Sequence, residues 1–320
     1  LYPDSMGGTL KDVTQFLASD DLKDSFGSIY ILPSIYNTDL DRGFSVIDYN
    51  INELFASEED LEKIKALGLD LKLDFILNHA SVLSPQFQDL LENGQKSKYK
   101  DFFINWNEFW TGCGKMTTDG YIQPEKKYLD KMFFRKPGLP ILMVRMPDGS
   151  KIPYWNTFYQ KVFYDPIDAQ DLLKQFGMQY ASAEELADLV NKQLKENVNP
   201  ADMNLGRWAT MHNEICDYLD SRCKYLGQMD LNLKSPLVWD FYKKTLQKLA
   251  GYGAAIIRLD AFAYAPKAPG SHNFMNEPET WNTLERVREL AAPYGLTLLP
   301  EIHASYEEKT YEKVANYGYL

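Results

Sequence analysis

Cysteine, net positive charge and long apolar runs are all scarce in this chain of 320 residues. Its 3 cysteines, Cys113, Cys216 and Cys223, are an odd number without dense spacing, which argues against a disulfide framework and for a reducing, cytoplasmic setting. The 45 acidic residues outnumber the 34 basic ones and no basic stripe occurs, so we expect no nucleic-acid partner. No apolar run approaches the roughly 20 residues of a membrane span, so we expect no membrane partner.

What the chain does contain is enough apolar material for a sizeable core. Hydrophobic residues make up 45% of the sequence and charged residues 25%, which is typical of a folded globular protein. The 6 Trp and 21 Tyr would suit stacking against a flat, partly apolar ligand, but their ordinary use is packing in cores and interfaces.

Segments with strand and helix patterns alternate at both ends of the chain, which favours an α/β fold with a parallel sheet. We predict strands at residues 28–32, 70–77, 255–263 and 296–302, and helices at 58–67, 235–252, 277–294 and 306–316. With clipped strands near Tyr2 and from Tyr317 to the end, the total is five or six, fewer than the eight of a closed (β/α) barrel. Three alternatives follow: an open sheet, a barrel with other counts, or part of a longer barrel protein, which the abrupt ends of the sequence favour.

The regular alternation is lost between residues 80 and 234, where Gly, Pro and aromatic clusters separate short helical pieces. This stretch is too long for a loop and too irregular for barrel units. We therefore predict three parts: residues 1–79 as the first part of the barrel, residues 80–234 as an inserted domain, and residues 235–320 as the continuation of the barrel.

Polar residues stand at the carboxyl ends of three predicted strands. They are Asp74, Asn78 and His79 on one, Arg258 and Asp260 on the next, and Glu301 and His303 on the third. Because barrel enzymes build their active sites at the carboxyl ends of the strands, we expect these side chains to meet on one face.

Asp260 and Glu301 have the spacing of residues on neighbouring strands, which lie roughly 4.8 Å apart. That places two carboxyl groups at about the separation of a retaining glycosidase, in which one attacks the anomeric carbon and the other protonates the leaving oxygen. Arg258 points the same way as Asp260 and would keep it ionised, while a more enclosed Glu301 keeps its proton. The alternatives are a structural Arg-Asp ion pair and, for His79, a hydrogen-bonded structural histidine.

Four short segments, taken in order, resemble motifs of the α-amylase family, glycoside hydrolase family 13, and within it the sucrose phosphorylase group. They are Asp74-x-x-x-Asn78-His79, Gln228-Met229-Asp230-Leu231-Asn232, Arg258-Leu259-Asp260-Ala261 and Glu301-Ile302-His303. The resemblance implies a (β/α)8 TIM-type barrel that is incomplete in this chain, from about strand 1 to the start of strand 6. It also implies that residues 80–234 are a B-type domain after strand 3, with an extra insertion at about 163–224 that sucrose phosphorylases lack. Such an insertion should reshape the acceptor pocket and so argues against sucrose itself as the donor.

The same resemblance implies roles for individual residues. Asp260 would be the nucleophile, Glu301 the general acid/base and Arg258 the residue that positions Asp260, while a third carboxylate would follow strand seven, outside this chain. The substrate-binding set implied is Asp41, Phe44, His79, Phe158, Gln160, Arg258 and His303. Arg135 and Lys136 stand where sucrose phosphorylases carry a phosphate-binding Arg, although Lys136 lacks bidentate geometry.

These implications favour an enzyme that transfers a glucosyl unit from an α-glucoside to inorganic phosphate and releases glucose 1-phosphate. The alternatives are a hydrolase or transglucosylase with the same site, a carbohydrate-binding protein without catalysis, and a barrel enzyme with Schiff-base chemistry. Lys72 and Lys267 are poorly placed for that last chemistry. No cofactor and no metal are expected, although Asn78 could ligate calcium, and nothing in the sequence indicates the oligomeric state.

Overall fold

The computed structural model describes residues 1–319, which form an α/β protein with short strands and helices. The strands are β1 (Ser28–Tyr30), β2 (Tyr36–Thr38), β3 (Val46–Ile51), β4 (Asp70–Ile76), β5 (His79–Ser81), β6 (Gly114–Met116), β7 (Ile122–Pro124), β8 (Ile141–Arg145), β9 (Lys151–Trp155), β10 (Gln160–Tyr164), β11 (Cys223–Asp230), β12 (Ala254–Asp260) and β13 (Thr297–Pro300). The helices are α1 (Leu10–Leu17), α2 (Glu58–Ala66), α3 (Pro85–Asn93), α4 (Trp106–Phe109), α5 (Lys126–Leu129), α6 (Ala169–Phe176), α7 (Tyr180–Lys195), α8 (His212–Ser221), α9 (Pro236–Gly251), α10 (Glu279–Ala291) and α11 (Thr310–Asn316). Among residues 1–319, no helix is long and apolar enough to cross a membrane.

The chain divides into two compact units, residues 1–159 with 227–320 and residues 160–226. The insertion predicted at about residues 163–224 falls inside the second unit. The assignment of residues 80–234 as a B-type domain stays a prediction.

A parallel sheet in the order β1-β4-β12-β13 forms the core of the first unit. Its strands carry apolar side chains that are fully buried, among them Leu73, Phe75, Ile257 and Leu259. Strands covered on both faces read as near-continuous apolar runs, which is why the sequence pattern located them. This sheet bears out the α/β prediction and brings the carboxyl ends of four parallel strands to one edge.

The helices that connect these strands begin at recognisable sequence signals. The Ser57 side chain accepts from the Asp60 backbone, and the Asp60 carboxylate accepts from the Ser57 N–H at 3.0 Å, which is a capping box at the start of α2. Helix α9 begins with Pro236 at its first position and buries a stripe that includes Val238, Tyr242 and Leu246. That four-residue spacing turns one face of α9 towards the core.

Between β4 and β12, the first unit contains an aromatic cluster held by antiparallel hairpins. β6 pairs with β7 and β8 with β9. Trp106, Trp110 and Trp155 are buried together, with the rings of Trp106 and Trp155 4.8 Å apart. The Trp106 indole donates to the Ile122 carbonyl at 2.7 Å, so its one polar atom is satisfied. Part of the aromatic richness of the sequence is therefore used in the core.

The second unit has an apolar core of its own, built from α6, α7 and α8. Its fully buried side chains include Leu172, Leu186 and Val190. Asp168 caps α6 by accepting from the Asp171 N–H at 2.7 Å. The chain enters along β10 and leaves along β11, which are neighbours in one sheet. This arrangement allows a long insertion to join the chain at two adjacent points.

One predicted strand ends earlier than the sequence suggested, and one predicted helix begins later. The strand predicted to residue 263 ends at Asp260, because Ala261 adopts a left-handed conformation with φ 52°. The helix predicted from residue 306 begins at Thr310, because Lys309, at φ 53°, separates it from a short 3-10 turn at Tyr306–Glu308. A single left-handed residue stops regular hydrogen bonding without leaving an apolar-pattern signal.

The clipped strands predicted at the two ends are not formed within residues 1–319. Leu1 lies beside β1, with its amino group donating to the Tyr30 carbonyl at 2.8 Å and its carbonyl accepting from Leu32 at 2.9 Å. Tyr317 and Gly318 form a turn after α11, Tyr319 is in no strand, and the last residue lies outside the described range.

Candidate active site

The register of the parallel sheet brings four charged residues to one edge. Arg258 of β12 is paired with Asp74 of β4, and Asp260 lies two residues further along the same strand. On the other side, Leu259 is paired with Pro300, so Glu301 follows β13 next to Asp260, and its N–H donates to the Leu259 carbonyl at 3.1 Å. The expected convergence of strand ends is present.

One guanidinium, that of Arg258, contacts three carboxyl groups. Its Nη1 lies 2.6 Å from Asp74 Oδ1 and 3.0 Å from Asp260 Oδ1, and its Nη2 contacts Glu301 Oε1. The side chain of Arg258 is only 17% exposed, and that of Asp74 is fully buried. Because these contacts are shielded from water, Arg258 fixes the orientation of both Asp260 and Glu301.

Asp74 anchors the cluster to the strands below it. The Tyr30 hydroxyl donates to Asp74 Oδ2 at 2.7 Å, so both carboxylate oxygens have a partner. Burial raises the pKa of Asp74, whereas Arg258 and the Tyr30 hydroxyl lower it. Sequence reasoning did not assign a role to Tyr30, because its partner lies 44 residues away and no local pattern links the two.

The charge balance at Asp260 differs from the sequence-based expectation. Burial raises the pKa of Asp260 well above its usual range, and the negative charge of Glu301 adds to that effect, while Arg258 opposes both. Arg258 therefore acts on Asp260 in the expected direction, but burial and the charge of Glu301 outweigh it. Two close carboxyl groups with one counter-charge between them favour a shared proton.

Glu301 is held from the other side by the turn that follows β12. The left-handed Ala261 directs its N–H towards Glu301 Oε2 at 3.2 Å. His303, whose side chain is 55% exposed, places Nε2 3.0 Å from Glu301 Oε1. Glu301 is thus reached by a backbone donor, a guanidinium and an imidazole, while remaining 18% exposed towards solvent.

His79 is buried with both ring nitrogens engaged. Its Nε2 lies 3.0 Å from the Phe44 carbonyl, which can only accept, so Nε2 carries the proton. Its Nδ1 lies 3.4 Å from the Asn78 amide nitrogen. Burial lowers the pKa of His79 to about 4, so the ring is neutral near neutral pH. A sugar hydroxyl that bonds to Nε2 would have to displace Phe44.

The buried side chain of Lys267 contacts Asn78, the residue whose amide lies beside His79. Lys267 Nζ lies 2.8 Å from Asn78 Oδ1 and 2.8 Å from Asp230 Oδ2, and also contacts the Tyr264 carbonyl. The Asn78 amide in turn donates to Asp230 at 3.0 Å. The ammonium group thus uses the oxygens that could have ligated a cation beside Asn78. No cluster of three or more His, Cys, Asp or Glu side chains suited to a metal occurs among residues 1–319.

Asp41 begins a turn with strained backbone angles, and Phe44 directly follows that turn. Asp41 and Arg42 have positive φ angles of 57° and 45°. Gln228 Nε2 lies 3.4 Å from Asp41 Oδ2, and burial raises the pKa of Asp41. The Phe44 ring lies 5.7 Å from the Arg258 guanidinium, so Phe44 faces the charged cluster.

Phe158 and Arg135 form an aromatic and cationic wall. The Phe158 ring lies 5.1 Å from His79 and 5.2 Å from Tyr264, and the Arg135 guanidinium lies over it at 5.8 Å. Burial raises the pKa of Tyr264, and the nearby charge of Arg135 opposes that shift. The structure therefore brings Phe158 and Arg135 to the same side as His79.

Lys136 is half-buried beside Asn156. Its Nζ contacts Asn156 Oδ1, and the Asn156 amide donates to the Gln228 carbonyl at 2.9 Å. Burial lowers the pKa of Lys136 to about 8, although Asp230 opposes that shift. Gln160, the remaining predicted residue, is exposed in the second unit.

Comparison with known proteins defines the class to which these features belong. Residues 4–131 match the family described as the α-amylase catalytic domain. The chain superposes on the crystal structure of sucrose 6F-phosphate phosphorylase from Thermoanaerobacter thermosaccharolyticum with a TM-score of 0.70 and 29% identity, over 100% of this chain and 50% of that one. The resemblance to that family and the predicted (β/α) barrel fold class are therefore confirmed.

Among curated proteins, the chain is similar to phosphorylases named for sucrose 6(F)-phosphate and for sucrose. The chain is 46% identical over 318 residues to the sucrose 6(F)-phosphate phosphorylase of Ilumatobacter coccineus, covering 99% of this chain and 50% of the relative. It is 29% identical over 320 residues to the sucrose phosphorylase of Streptococcus mutans, again covering 50% of that protein. The chain therefore spans about half the length of these relatives, and the first match extends across the inserted segment as well.

Proposed function

We propose that the protein of which this chain is a part is a retaining glucosyl-transferring phosphorylase that acts on an α-glucoside of the sucrose type. The observation that carries the proposal is the single Arg258 guanidinium in contact with both Asp260 and Glu301. Two carboxyl groups held this close suit a retaining mechanism, in which no water needs to fit between carboxylate and sugar.

The first step follows from the shared proton of the carboxyl pair. When a glycosidic oxygen approaches Glu301, the proton moves to that oxygen as the bond between it and the anomeric carbon breaks. Asp260 is left as a carboxylate that Arg258 stabilises, and one of its oxygens forms a bond to the anomeric carbon. The products of this step are a glucosyl-Asp260 ester and a free leaving sugar.

The second step needs an acceptor with a removable proton. Glu301, now ionised, takes the proton from dihydrogen or hydrogen phosphate as a phosphate oxygen attacks the anomeric carbon. The ester bond to Asp260 breaks, and glucose 1-phosphate forms with the original configuration retained. Arg135 and Lys136 supply positive charge for phosphate on the Phe158 side of the site.

The donor is proposed from the names of the relatives. They act on sucrose or on sucrose 6F-phosphate, and the match to the Ilumatobacter enzyme covers 99% of this chain, insertion included. The insertion at about residues 163–224 was expected to argue against sucrose, but a relative named for a sucrose-type donor matches across it. A cytoplasmic location, which would provide phosphate and phosphorylated sugars, remains a prediction.

The test uses the full-length protein. It is incubated with sucrose, sucrose 6F-phosphate and other α-glucosides, with and without inorganic phosphate, and glucose 1-phosphate and free glucose are quantified. Phosphate-dependent glucose 1-phosphate is expected, and it should disappear in Asp260→Asn, with a loss of roughly 10⁴-fold or more. Free glucose in equal amounts with and without phosphate would identify a hydrolase with the same machinery instead.

A further inference from the structure

Arg135 and Lys136 lie on a segment that follows α5 and has no regular secondary structure, so something outside the segment must set its position. The structure shows what that is. Between β12 and α10, a loop places the side chain of Asn273 against the backbone of Phe133, two residues before Arg135. The two stretches are 140 residues apart in the sequence.

Both polar atoms of the Asn273 side-chain amide form hydrogen bonds with the Phe133 backbone. The Phe133 N–H donates to Asn273 Oδ1 at 2.7 Å, and Asn273 Nδ2 donates to the Phe133 carbonyl at 2.9 Å. This is the pair of hydrogen bonds that a neighbouring strand would supply. Asn273 is only 4% exposed, so water does not compete strongly for these bonds.

Other contacts also connect the segment around Phe133 with the loop around Asn273, but they do not replace the two hydrogen bonds of the Asn273 amide. Lys131 Nζ donates to the Gly270 carbonyl at 2.7 Å, and His272 Nδ1 lies 2.7 Å from the Lys131 carbonyl, but these contacts are exposed. The Phe133 and Phe274 rings lie 6.1 Å apart. The buried amide is therefore the best-protected hydrogen-bonded link.

The loop that carries Asn273 also connects to the nucleophile strand. The Phe274 ring lies 4.7 Å from the Tyr264 ring at a tilted angle, and the Tyr264 ring contacts Phe158. The Arg135 guanidinium lies close enough to Tyr264 to oppose the rise that burial causes in the pKa of its hydroxyl. A displacement of the Phe133 backbone would thus move Arg135 relative to Tyr264 and the wall formed by Phe158.

We propose that Asn273 is a positioning residue that sets where Arg135 and Lys136 present their charges to the incoming phosphate. This inference rests on the proposed function. Asn273 acts through the Phe133 backbone and not by touching phosphate, so its loss should weaken phosphate use while leaving formation of the glucosyl-Asp260 ester largely intact.

The test compares Asn273→Ala with Asn276→Ala in the full-length protein. Asn276 is a matched control, because it is a buried asparagine of the same loop whose amide donates only to carbonyls of that loop, Pro266 at 3.0 Å and His272. For Asn273→Ala, the KM for phosphate should rise about ten-fold, as expected for the loss of two buried hydrogen bonds, and the product should shift from glucose 1-phosphate towards glucose. Hydrolysis without phosphate should stay within about two-fold of the wild type.

The control should lower the melting temperature without changing the KM for phosphate by more than about two-fold. If Asn273→Ala does not fold, Asn273→Asp takes its place, since it keeps the acceptor for the Phe133 N–H and loses the donor. Protonation restores that donor, so the ratio of its phosphate KM to that of the wild type should fall as the pH is lowered.

An unchanged phosphate KM in a folded Asn273 variant, or an equal rise in Asn276→Ala, would overturn this inference alone. A wild-type enzyme that produces no phosphate-dependent glucose 1-phosphate would overturn the proposed function, and the inference with it.

Discussion

At the scale of single residues, the proposed chemistry depends on Arg258 more than on either carboxyl group taken alone. A guanidinium is planar and presents several N–H donors in a fixed fork, which is how it reaches Asp74, Asp260 and Glu301 at once. An ammonium group has the same charge but carries it on a single nitrogen, so it lacks the planar fork that holds these carboxyl groups in one fixed geometry.

Arg258→Lys in the full-length protein should therefore lower kcat roughly 100-fold, because Asp260 and Glu301 would no longer be held in a common orientation. The measurement is the rate of glucose 1-phosphate release at saturating donor and phosphate. Arg286→Lys is the control, since that guanidinium lies over Trp239 at 3.7 Å, away from the carboxyl cluster. More than half of wild-type activity in Arg258→Lys would contradict the role given to the fork.

A second residue-scale prediction concerns Lys136 and pH. Burial lowers its pKa to about 8, so its positive charge is present below that pH and is lost as the pH rises through it. The KM for phosphate should increase over the same interval. In Lys136→Arg the charge persists, since a guanidinium stays protonated up to about pH 12, and the increase should be smaller.

The two enzymes are compared at each pH, so the ionisation of phosphate itself cancels. Parallel curves for the wild type and Lys136→Arg would show that Lys136 does not contribute its charge to phosphate binding.

At the scale of elements, the turn at Asp41–Gly43 is held against a neighbouring 3-10 turn at Pro33–Ile35. Gly43 has φ 117°, and a Cβ there would lie 2.3 Å from the Ser34 nitrogen and 2.6 Å from the Pro33 carbonyl carbon. No side chain can be accommodated without moving the backbone of Phe44, whose carbonyl accepts from His79.

Gly43→Ala should accordingly lower the free energy of unfolding by about 2–4 kcal/mol, measured by denaturant unfolding of the full-length protein. Gly68→Ala is the matched control: it has φ 74°, but a Cβ added there would have no atom within 4 Å, so only the conformational cost of about 1 kcal/mol applies. Equal losses in the two variants would mean that close contact at Gly43 is relieved cheaply.

The strands of the parallel sheet and the helices α2, α9 and α10 could be predicted from the sequence. The charged residues at the strand ends could be predicted with them. Arg258, Asp260 and Glu301 are readable because parallel strands share an edge and side chains alternate along a strand. What could not be predicted lies in long-range polar contacts: Lys267 with Asn78, and Asn273 with Phe133. Such pairs leave no periodic signal, since each partner looks like an ordinary loop residue.

The charge state of Asp260 was also beyond sequence reasoning, for a different reason. Its pKa is set first by burial, and burial depends on how completely the neighbouring loops cover the strand end. Sequence identifies Arg258 as a neighbour but does not show that Asp260 is only 7% exposed.

At the scale of the whole molecule, the unit at residues 160–226 has its own core and joins the chain at two adjacent strands. Lys224 Nζ lies 2.6 Å from Asp165 Oδ2, so the two connections are close together. Long insertions of this kind cost little when their ends already lie near each other.

Replacing residues 166–222 by a short Gly-Ser linker in the full-length protein should leave a cooperatively unfolding enzyme that still hydrolyses its donor within about ten-fold of the wild-type rate. Calorimetry and glucose release are the measurements. The same linker inserted after Gly149, in the exposed turn between β8 and β9, controls for the linker itself. Loss of a single unfolding transition in the deletion variant alone would show that the unit is needed for the rest of the protein to fold.

Three carboxyl groups surround one guanidinium, so even with one proton shared the pocket at Arg258 has an excess of negative charge. A neutral sugar gains little from that excess, whereas a ring that becomes positively charged as its bond stretches is attracted to it. The pocket should therefore stabilise the short-lived, positively charged sugar ring of the transition state more than the neutral sugar. Sugar-shaped amines, which bear a permanent positive charge, should bind there more tightly than neutral sugars of the same shape, and anions should be confined to the side of Arg135 and Lys136.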